Sequence, residues 1–259
     1  MVAQINAIVK NASKLMHEDV NDISQKGNAS NYVTDSDLAV QQYLSEQLTS
    51  LIPGSCVIGE EGESRLQTAE YTWVIDPIDG TSNYIRNIGL SVISVGLLKS
   101  GKPDIGVIYN PYRDEIFYAK IGQGAFLNGK RIYVSDRDFA HSHLCSAMSL
   151  YDKRFAGPCF HIIEKIYHAS DDLRRLGSAA LELAYLAAGR VELYFEIRVF
   201  PWDVAGALPI LTEAGAQIEL LYHDSLPLDR PFGVIAANSK ENFARLKSIV
   251  CEELPTLPY

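Results

Sequence analysis

Two carboxylates that follow a short apolar segment form the most informative stretch of this chain. Asp76 and Asp79 come directly after Trp73-Val74-Ile75, with one proline and one isoleucine between them. Acids held this close repel each other unless a positive charge lies between them, and a divalent cation is the strongest local one. Gly80 and Thr81 follow and add backbone N–H groups and a hydroxyl. The stretch therefore predicts a hard-metal site, at the end of a buried strand, that holds an oxyanion such as phosphate.

Other acids could join this site. They are Glu60 and Glu61 after a short strand, Asp203 after a tryptophan, and Asp35 and Asp37 at a helix start. Oxygen ligands without neighbouring His or Cys favour Mg²⁺ or Mn²⁺ over zinc. For any single acid the alternative is a surface charge or a helix N-cap. Thr34 or Asp35 can cap the helix at residues 35–50, and Asp35 is better explained as a cap than as a site residue. Two acids that end a buried strand are costly without a cation, so Asp76 and Asp79 together favour the metal site.

The overall charge limits which classes of ligand the bare protein would attract. The 259 residues carry a net charge of −9, with an isoelectric point near 5.2. No general attraction to nucleic acid or to an anionic membrane is expected. A phosphorylated substrate would be repelled by the bare protein, so phosphate chemistry would need bound cations or a local basic group.

Neither end of the chain suggests a targeting or membrane-spanning segment. Residues 1–17 form an amphipathic helical pattern without the apolar run of a signal peptide, and no apolar stretch reaches the ~20 residues of a membrane span. The four cysteines are widely scattered, which favours unpaired thiols. We therefore expect a cytoplasmic protein.

The order of elements predicts an antiparallel-rich α+β half, residues 1–140, and an α/β half, residues 141–259, packed as one functional unit. Helices are expected at residues 3–17, 35–50, 158–169, 179–188, 202–214 and 241–250. Strands are expected at residues 57–59, 73–75, 90–98, 104–110, 115–120, 125–127, 131–134, 172–176, 191–195, 217–222 and 233–237. Residues 22–32 are polar and are expected to form a mobile loop or a weak hairpin.

Two motifs carry a family resemblance. Residues 73–84, with Asp-Pro-Ile-Asp-Gly-Thr-Ser-Asn-Tyr, resemble the first signature of the inositol monophosphatase family, although Tyr84 replaces the usual phenylalanine. Trp202-Asp203-Val204-Ala205-Gly206, followed by Glu213-Ala214-Gly215, resembles the second signature. Residues 59–62 and 122–129 are similar to family segments in matching order. The resemblance covers essentially the whole chain.

This resemblance implies a layered αβαβα sandwich, of the kind shared by inositol monophosphatases and fructose-1,6-bisphosphatases, and a homodimer. It also implies two to three Mg²⁺ ions, with Mn²⁺ as an alternative. Carried over by position, Glu60, Asp76 and the carbonyl of Ile78 would bind one ion. Asp76, Asp79 and Asp203 would bind a second, and a third, looser ion would lean on Glu60.

Catalytic roles follow from the same resemblance. Thr81, polarised by Asp37, would help to activate the attacking water, and Glu60 would assist. The backbone N–H groups of Gly80 and Thr81 would hold the phosphate. Lys26 falls where the family carries a loop lysine near the metals, with an exposed lysine as the alternative.

Two positions match contacts to the inositol ring in family members. They are Ala179, in Gly177-Ser178-Ala179-Ala180, and Glu196, just after the strand at residues 191–195. The alternative for Glu196 is a surface acid paired with Arg198.

The sequence thus predicts a Mg²⁺-dependent phosphomonoesterase for a small phosphorylated polyol or sugar, with inositol monophosphate as the leading substrate. Alternatives on the same scaffold are fructose-1,6-bisphosphatase, 3′-phosphoadenosine nucleotidase, histidinol-phosphate phosphatase and NADP phosphatase. An alternative from another class is a non-catalytic regulatory protein with a phosphatase fold. The complete set of acids argues against that alternative.

Overall fold

A computed structural model describes residues 1–16, 23–25, 32–61, 69–147 and 152–254. These residues form eight α-helices: α1 (Val2–Ala12), α2 (Asp35–Leu51), α3 (Thr81–Ile85), α4 (Ala156–Tyr167), α5 (Ala179–Ala187), α6 (Pro201–Ala205), α7 (Ala207–Ala214) and α8 (Lys240–Glu253). They also form the strands β1 (Ile23–Gln25), β2 (Tyr32–Thr34), β3 (Cys56–Gly59), β4 (Tyr71–Asp79), β5 (Val92–Lys99), β6 (Lys102–Asn110), β7 (Glu115–Lys120), β8 (Gly124–Leu127), β9 (Lys130–Arg131), β10 (His143–Ser146), β11 (Asp172–Arg174), β12 (Leu193–Val199), β13 (Gln217–Leu221) and β14 (Phe232–Ala237).

The first half of the chain builds a seven-stranded sheet in the order β3-β4-β5-β6-β7-β8-β9. Its pairs are antiparallel except for β3 beside β4. Successive side chains of a strand point to opposite faces, and β4 shows this directly. Val74 belongs to the core on one face, while Trp73 and Ile75 belong to the core on the other.

The second half builds a five-stranded sheet in the order β11-β10-β12-β14-β13. The central strand β12 is parallel to β10 and antiparallel to β14. Its residues alternate between two cores, with Tyr194 on one side and Phe195 on the other.

Three hydrophobic cores stack the sheets and helices into layers. Helices α1 and α2 cover the outer face of the seven-stranded sheet, and α4 and α8 cover the outer face of the five-stranded sheet. Helices α5, α6 and α7 lie between the two sheets. The fold is therefore the αβαβα sandwich that the sequence predicts.

The expected single helix at residues 202–214 is wrong. The chain forms α6 and α7 instead, separated at Gly206. The break has a local cause, because Pro209 has no N–H to donate to the carbonyl oxygen of Ala205 and its ring crowds that carbonyl in a continuous helix. The chain also packs closely on a glycine patch of the sheet here, where Gly96 and Gly106 are register partners on neighbouring strands. A Cβ at Gly106 would collide with the carbonyl oxygen of Gly206, and one at Gly96 would lie 2.7 Å from the carbonyl carbon of Ala205.

Other elements also begin or end at residues that differ from the predicted ones. Strand β4 continues through Asp79 rather than ending at Ile75, and β12 runs through Glu196 to Val199. The hairpin at Asn128-Gly129 forms, but its second arm stops at Arg131. Strands β1 and β2 pair as an antiparallel ladder, in agreement with the weak-hairpin expectation.

Two expectations about the whole chain can be compared with the structure. The four cysteines are free thiols, as predicted. Among the described residues, no helix combines the length and the apolar composition that crossing a membrane requires.

Candidate active site

The end of β3 places the first predicted ligand beside the paired acids. Gly59 pairs with Ile75 in the parallel ladder, and the N–H of Glu60 donates to the carbonyl oxygen of Ile75 at 3.1 Å. Glu60, the residue after β3, therefore lies beside Asp76, the residue after Ile75. Two segments that are distant in sequence bring their acids to one end of the sheet.

An irregular step in β4 turns both aspartates toward this end. Asp76 pairs with Ser94 and Asp79 pairs with Val92, so the ladder shifts between them. Pro77 has no N–H to donate, which a regular central strand would require. The Oδ1 atom of Asp76 instead accepts the N–H of Ile78 at 3.0 Å. Asp76 is 1% exposed and Asp79 8%.

Helix α6 brings Asp203 to the same place, because it packs against β4 and β5. The helix begins with Pro201, a favourable first residue, and Oδ2 of Asp203 accepts the N–H of Phe200 at 2.7 Å. The Ser94 hydroxyl donates to the carbonyl oxygen of Trp202 at 3.4 Å, which fixes the start of α6 over β5.

Asp79 also lies at the N-terminus of α5. Its Oδ2 atom accepts the Ser178 hydroxyl at 2.7 Å and the N–H of Ala180 at 2.6 Å. Ser178 is the N-cap of α5 and receives the N–H of Leu181 at 3.4 Å. A helix N-terminus stabilises a carboxylate through its free N–H groups.

Asp37 lies in the first turn of α2 and completes a capping box. Its Oδ2 atom accepts the N–H of Thr34 at 2.8 Å and also bonds the Thr34 hydroxyl, while Thr34 is the N-cap. The expectation that Asp35 is the cap is therefore wrong. Asp35 is the first helical residue and is exposed. Asp37 is fully buried.

The acids are close enough to raise one another's pKa. The pKa of Asp76 lies well above its ordinary value because of burial, then because of the charges of Glu60, Asp79, Asp203 and Asp37. Burial and the charges of Asp79, Glu60 and Glu196 likewise hold the pKa of Asp203 well above its ordinary value.

The pKa of Asp79 rises less. Burial raises it to about 6, and the Ser178 hydroxyl and nearby N–H groups offset part of that effect. The region is thus a buried concentration of acids in which added positive charge would favour the ionised forms.

The carboxylates do not converge on one point in this structure. Within the described ranges, no three side chains of His, Cys, Asp or Glu are grouped closely enough to hold a metal ion as they stand. Asp76, Asp79 and Asp203 each accept a local backbone N–H instead. The donor set nevertheless suits Mg²⁺, because it consists of oxygen atoms on buried acids that raise each other's pKa. The metal-ligand set stays a prediction.

Gly80 and Thr81 form the turn that follows the acids. Gly80 has φ +87°, a left-handed conformation that favours glycine. The Thr81 hydroxyl donates to the carbonyl oxygen of Ile78 at 3.1 Å, the same carbonyl that is predicted to bind metal. The pairing of Thr81 with Asp37 also stays a prediction. Lys26 lies outside the described residues.

The predicted substrate positions lie next to this region. Ala179 is the first residue of α5. Glu196 is 9% exposed within β12 and accepts the Tyr194 hydroxyl at 2.8 Å. Burial and the charge of Glu182 raise the pKa of Glu196 to about 8. Glu196 is therefore not a surface acid, and Arg198 forms an ion pair with Asp152 at 3.8 Å.

Sequence reasoning missed three residues that lie near the acids: Ser178, Ala180 and Ser36. Ser178 and Ala180 bind Asp79, and Ser36 accepts the Tyr84 hydroxyl at 2.8 Å, which ties α3 to α2. A serine before an apolar helical run is an N-cap signal, so the place of Ser178 at the start of α5 could have been predicted. Its contact with Asp79, across 99 residues of sequence, could not.

Comparison with known proteins gives a consistent result. The model of the inositol monophosphatase family matches residues 1–254. The Nus factor SuhB of Escherichia coli strain K12 is 38% identical over 215 residues, which cover 82% of this chain and 79% of the relative.

Two further relatives carry phosphatase names. A protein of Aquifex aeolicus named fructose-1,6-bisphosphatase/inositol-1-monophosphatase is 31% identical over 226 residues, 87% of this chain and 81% of the relative. The solved structure of a Thermotoga maritima IMPase matches with a TM-score of 0.86 at 27% identity, and the match covers 98% of this chain and 97% of that one.

Proposed function

Because this chain belongs to the inositol monophosphatase family, we propose that it is a Mg²⁺-dependent phosphomonoesterase that hydrolyses a small phosphorylated polyol. Inositol monophosphate is the first substrate to test, since the Aquifex aeolicus relative is named for it. Fructose 1,6-bisphosphate is the second, from the same name.

The observation that carries this proposal is the meeting of acids from separate elements at one end of the sheet. Glu60 follows β3, Asp76 and Asp79 lie in β4, and Asp203 lies in the first turn of α6. A family fold alone would not require the buried Asp76 and Asp79 to meet the half-buried Glu60 and Asp203, because these charges raise the pKa of Asp76 and oppose folding in the ionised form. Cation binding accounts for their presence.

In this proposal Glu60, Asp76 and the Ile78 carbonyl would hold one Mg²⁺ ion, and Asp76, Asp79 and Asp203 would hold a second. Mg²⁺ would supply positive charge for the phosphate oxygens and would acidify water. Thr81 and Asp37 orient the attacking water. Thr81 already bonds the Ile78 carbonyl, so its hydroxyl lies beside one proposed ligand.

The remaining contacts orient the substrate. The N–H groups of Gly80 and Thr81 bind the phosphate, and Ala179 and Glu196 face the polyol. A buried carboxylate such as Glu196 is suited to accept hydrogen bonds from ring hydroxyls, and Tyr194 fixes its orientation.

A substrate panel tests this proposal. Phosphate release is measured from inositol monophosphate, fructose 1,6-bisphosphate, histidinol phosphate, 3′-phosphoadenosine 5′-phosphate and NADP, with Mg²⁺, with Mn²⁺ and with EDTA. We expect turnover of inositol monophosphate with Mg²⁺ and none with EDTA. Absence of turnover on every substrate with either metal would refute the enzyme, and a preference for another substrate would replace the polyol assignment.

A second candidate function comes from the 38% identity to proteins named Nus factor SuhB. In this alternative the chain acts as a regulatory protein and its phosphatase site is not required. The test expresses the wild-type chain and Asp76→Asn in an Escherichia coli strain lacking its Nus factor SuhB. If both chains restore that strain equally, the restored activity does not depend on the acidic site. Restoration by the wild type alone would favour the enzyme.

Three further features complete the proposal: a homodimer, a cytoplasmic location and a division of the chain near residue 140. The seven-stranded sheet uses residues 56–131 and the five-stranded sheet uses residues 143–237. Light scattering of the purified chain tests the dimer.

A further inference from the structure

Glu182 is a buried acid that the proposed function leaves unused. It lies in the first turn of α5 and is 1% exposed. Burial raises its pKa to about 7, and the charge of Asp79 adds to that effect. An ionised glutamate at this buried position destabilises the folded chain unless hydrogen bonds compensate for its lost hydration, so its hydrogen-bond partners are informative.

Those contacts are with one short turn. The Oε1 atom of Glu182 accepts the N–H of Leu176 at 2.6 Å and the N–H of Gly177 at 3.1 Å. The turn comprises residues 176–178 and is called the 176–178 turn below. Gly177 has φ +79°, a left-handed conformation that glycine adopts readily, so the glutamate holds the position of the turn rather than its shape.

The first signature supports the same turn from the other side. Nδ2 of Asn83 donates to the carbonyl oxygen of Leu176 at 2.7 Å and to that of Leu90 at 3.0 Å. The carbonyl oxygen of Gly177 lies so near Gly80 that a Cβ there would be 3.1 Å away. The 176–178 turn is therefore held between Asn83 and Glu182.

The turn ends at the donors that hold Asp79. Ser178 is its last residue, and the Ser178 hydroxyl and the N–H of Ala180 both bind Oδ2 of Asp79. If the turn moved, these donors would move with it. The orientation of Asp79 thus depends on the position of a turn that Glu182 holds.

We infer that Glu182 is a positioning residue that fixes the 176–178 turn and, through Ser178 and Ala180, sets the orientation of Asp79 for Mg²⁺ binding. The inference rests on the proposed function, because it takes Asp79 as a ligand. Loss of a hydrogen bond made directly to a metal ligand typically lowers metal affinity by about 10- to 100-fold. Glu182 acts on Asp79 one step further away, through Ser178 and Ala180, so the lower end of that range is expected.

The test measures the Mg²⁺ dissociation constant of the full chain by isothermal titration calorimetry after metal removal. Glu182→Ala is expected to weaken Mg²⁺ binding by about tenfold or more. Glu182→Gln keeps a carbonyl oxygen for the two N–H groups and is expected to stay within about threefold of the wild type. The matched control is Glu192→Ala, since Glu192 is equally buried but bonds Ser135, Arg137 and the N–H of His143. It should lose thermal stability without losing Mg²⁺ affinity.

A second variant keeps the inference testable if Glu182→Ala does not fold. Glu182→Asp retains the charge but withdraws the acceptor by one methylene, so positioning predicts weaker Mg²⁺ binding in Glu182→Asp than in Glu182→Gln. The opposite order would show that charge matters and would overturn the inference. So would unchanged affinity in a folded Glu182→Ala, or equal losses in Glu182→Ala and Glu192→Ala. No Mg²⁺ binding by the wild type would instead refute the proposed function, and the inference with it.

Discussion

At the scale of single residues, two proposed metal ligands and the acid proposed to polarise Thr81 also have structural partners. Asp37 completes the capping box of α2, Asp79 binds the N-terminus of α5 from a distant segment, and Asp203 bonds the start of α6. These carboxylates therefore help to define where helices begin, besides the roles proposed for them. Substitution to asparagine keeps an acceptor oxygen for these N–H groups, so it separates loss of charge from loss of structure better than alanine does.

Glu196 gives the first residue-scale prediction. The pKa of about 8 belongs to the metal-free chain, and bound Mg²⁺ would favour the ionised form of Glu196. In that state Glu196→Gln removes the carboxylate that would accept ring hydroxyls, and a charge-assisted hydrogen bond is about twice as strong as a neutral one. We expect the KM for inositol monophosphate to rise by about tenfold, because a hydrogen bond to a charged group contributes roughly 1.5–3 kcal/mol. Steady-state kinetics measures this change.

The control for this prediction is an aryl phosphate, which has no polyol. Its KM should be nearly unaffected by Glu196→Gln, since only the ring contact is lost. An unchanged KM for inositol monophosphate, or an equal rise for both substrates, would remove Glu196 from the polyol site.

At the scale of elements, the packing of α6 against the seven-stranded sheet determines where Asp203 lies. Gly106 faces the carbonyl oxygen of Gly206, and a Cβ there would collide with backbone rather than with a flexible side chain. We predict that Gly106→Ala lowers the free energy of unfolding by about 1–3 kcal/mol, as overpacking does, and weakens Mg²⁺ binding by displacing α6. Urea denaturation and calorimetry measure the two effects.

Gly157 supplies the matched control. It lies in the first turn of α4, directly before Pro158, and a Cβ there would meet nothing within 4 Å. Gly157→Ala should leave Mg²⁺ affinity unchanged, and any gain from helix propensity is offset because proline disfavours the helical conformation of the residue before it. If Gly106→Ala binds Mg²⁺ as the wild type does, the glycine patch does not position Asp203.

The elements also show how much of the fold could be predicted from the sequence. Periodicity and the two signatures predicted the sandwich, the paired acids and the approach of Asp203 to them. The break between α6 and α7 could have been predicted, because Pro209 interrupts the hydrogen bonds of the expected helix. The passage of β4 through Pro77 was missed because a proline usually ends a central strand, whereas here the ladder is irregular at that point. Contacts such as Ser178 with Asp79 depend on the tertiary fold and have no local signal.

Not every residue of a signature belongs to the site. Glu213, in the second signature, accepts the N–H groups of Gly122 at 2.8 Å and Gly124 at 2.5 Å. It fixes the turn between β7 and β8 from the end of α7. The second signature therefore contributes one proposed metal ligand, Asp203, and one structural acid.

At the scale of the whole molecule, buried acids make the stability depend on pH. The pKa of Glu196 is raised from 4.5 to about 8, so the folded chain holds this proton more tightly than the unfolded chain does. The resulting stability is fully present below about pH 4.5 and is lost as the pH rises through about 8. Glu182, with its pKa raised to about 7, acts in the same direction.

We therefore predict that the metal-free protein becomes less stable between pH 5 and pH 9. The share of Glu196 is roughly 3 to 5 kcal/mol, since each pKa unit corresponds to about 1.4 kcal/mol. Urea denaturation in EDTA across this range measures it, and Glu196→Gln should show a flatter profile. A wild-type profile that rises with pH, or one that Glu196→Gln leaves unchanged, would contradict the burial of this acid in the native state.

The most direct test of the central claim compares Asp76→Asn with Asp35→Asn. Asp76 is the buried acid proposed to bridge two Mg²⁺ ions, whereas Asp35 is exposed in the first turn of α2. The measurement is kcat/KM for phosphate release from inositol monophosphate, with Mg²⁺ and with EDTA. We predict that Asp76→Asn lowers kcat/KM by about 10³-fold or more, a loss of roughly 4 kcal/mol of transition-state stabilisation, while Asp35→Asn stays near the wild type. Near-normal, EDTA-sensitive turnover by Asp76→Asn would contradict the site described here.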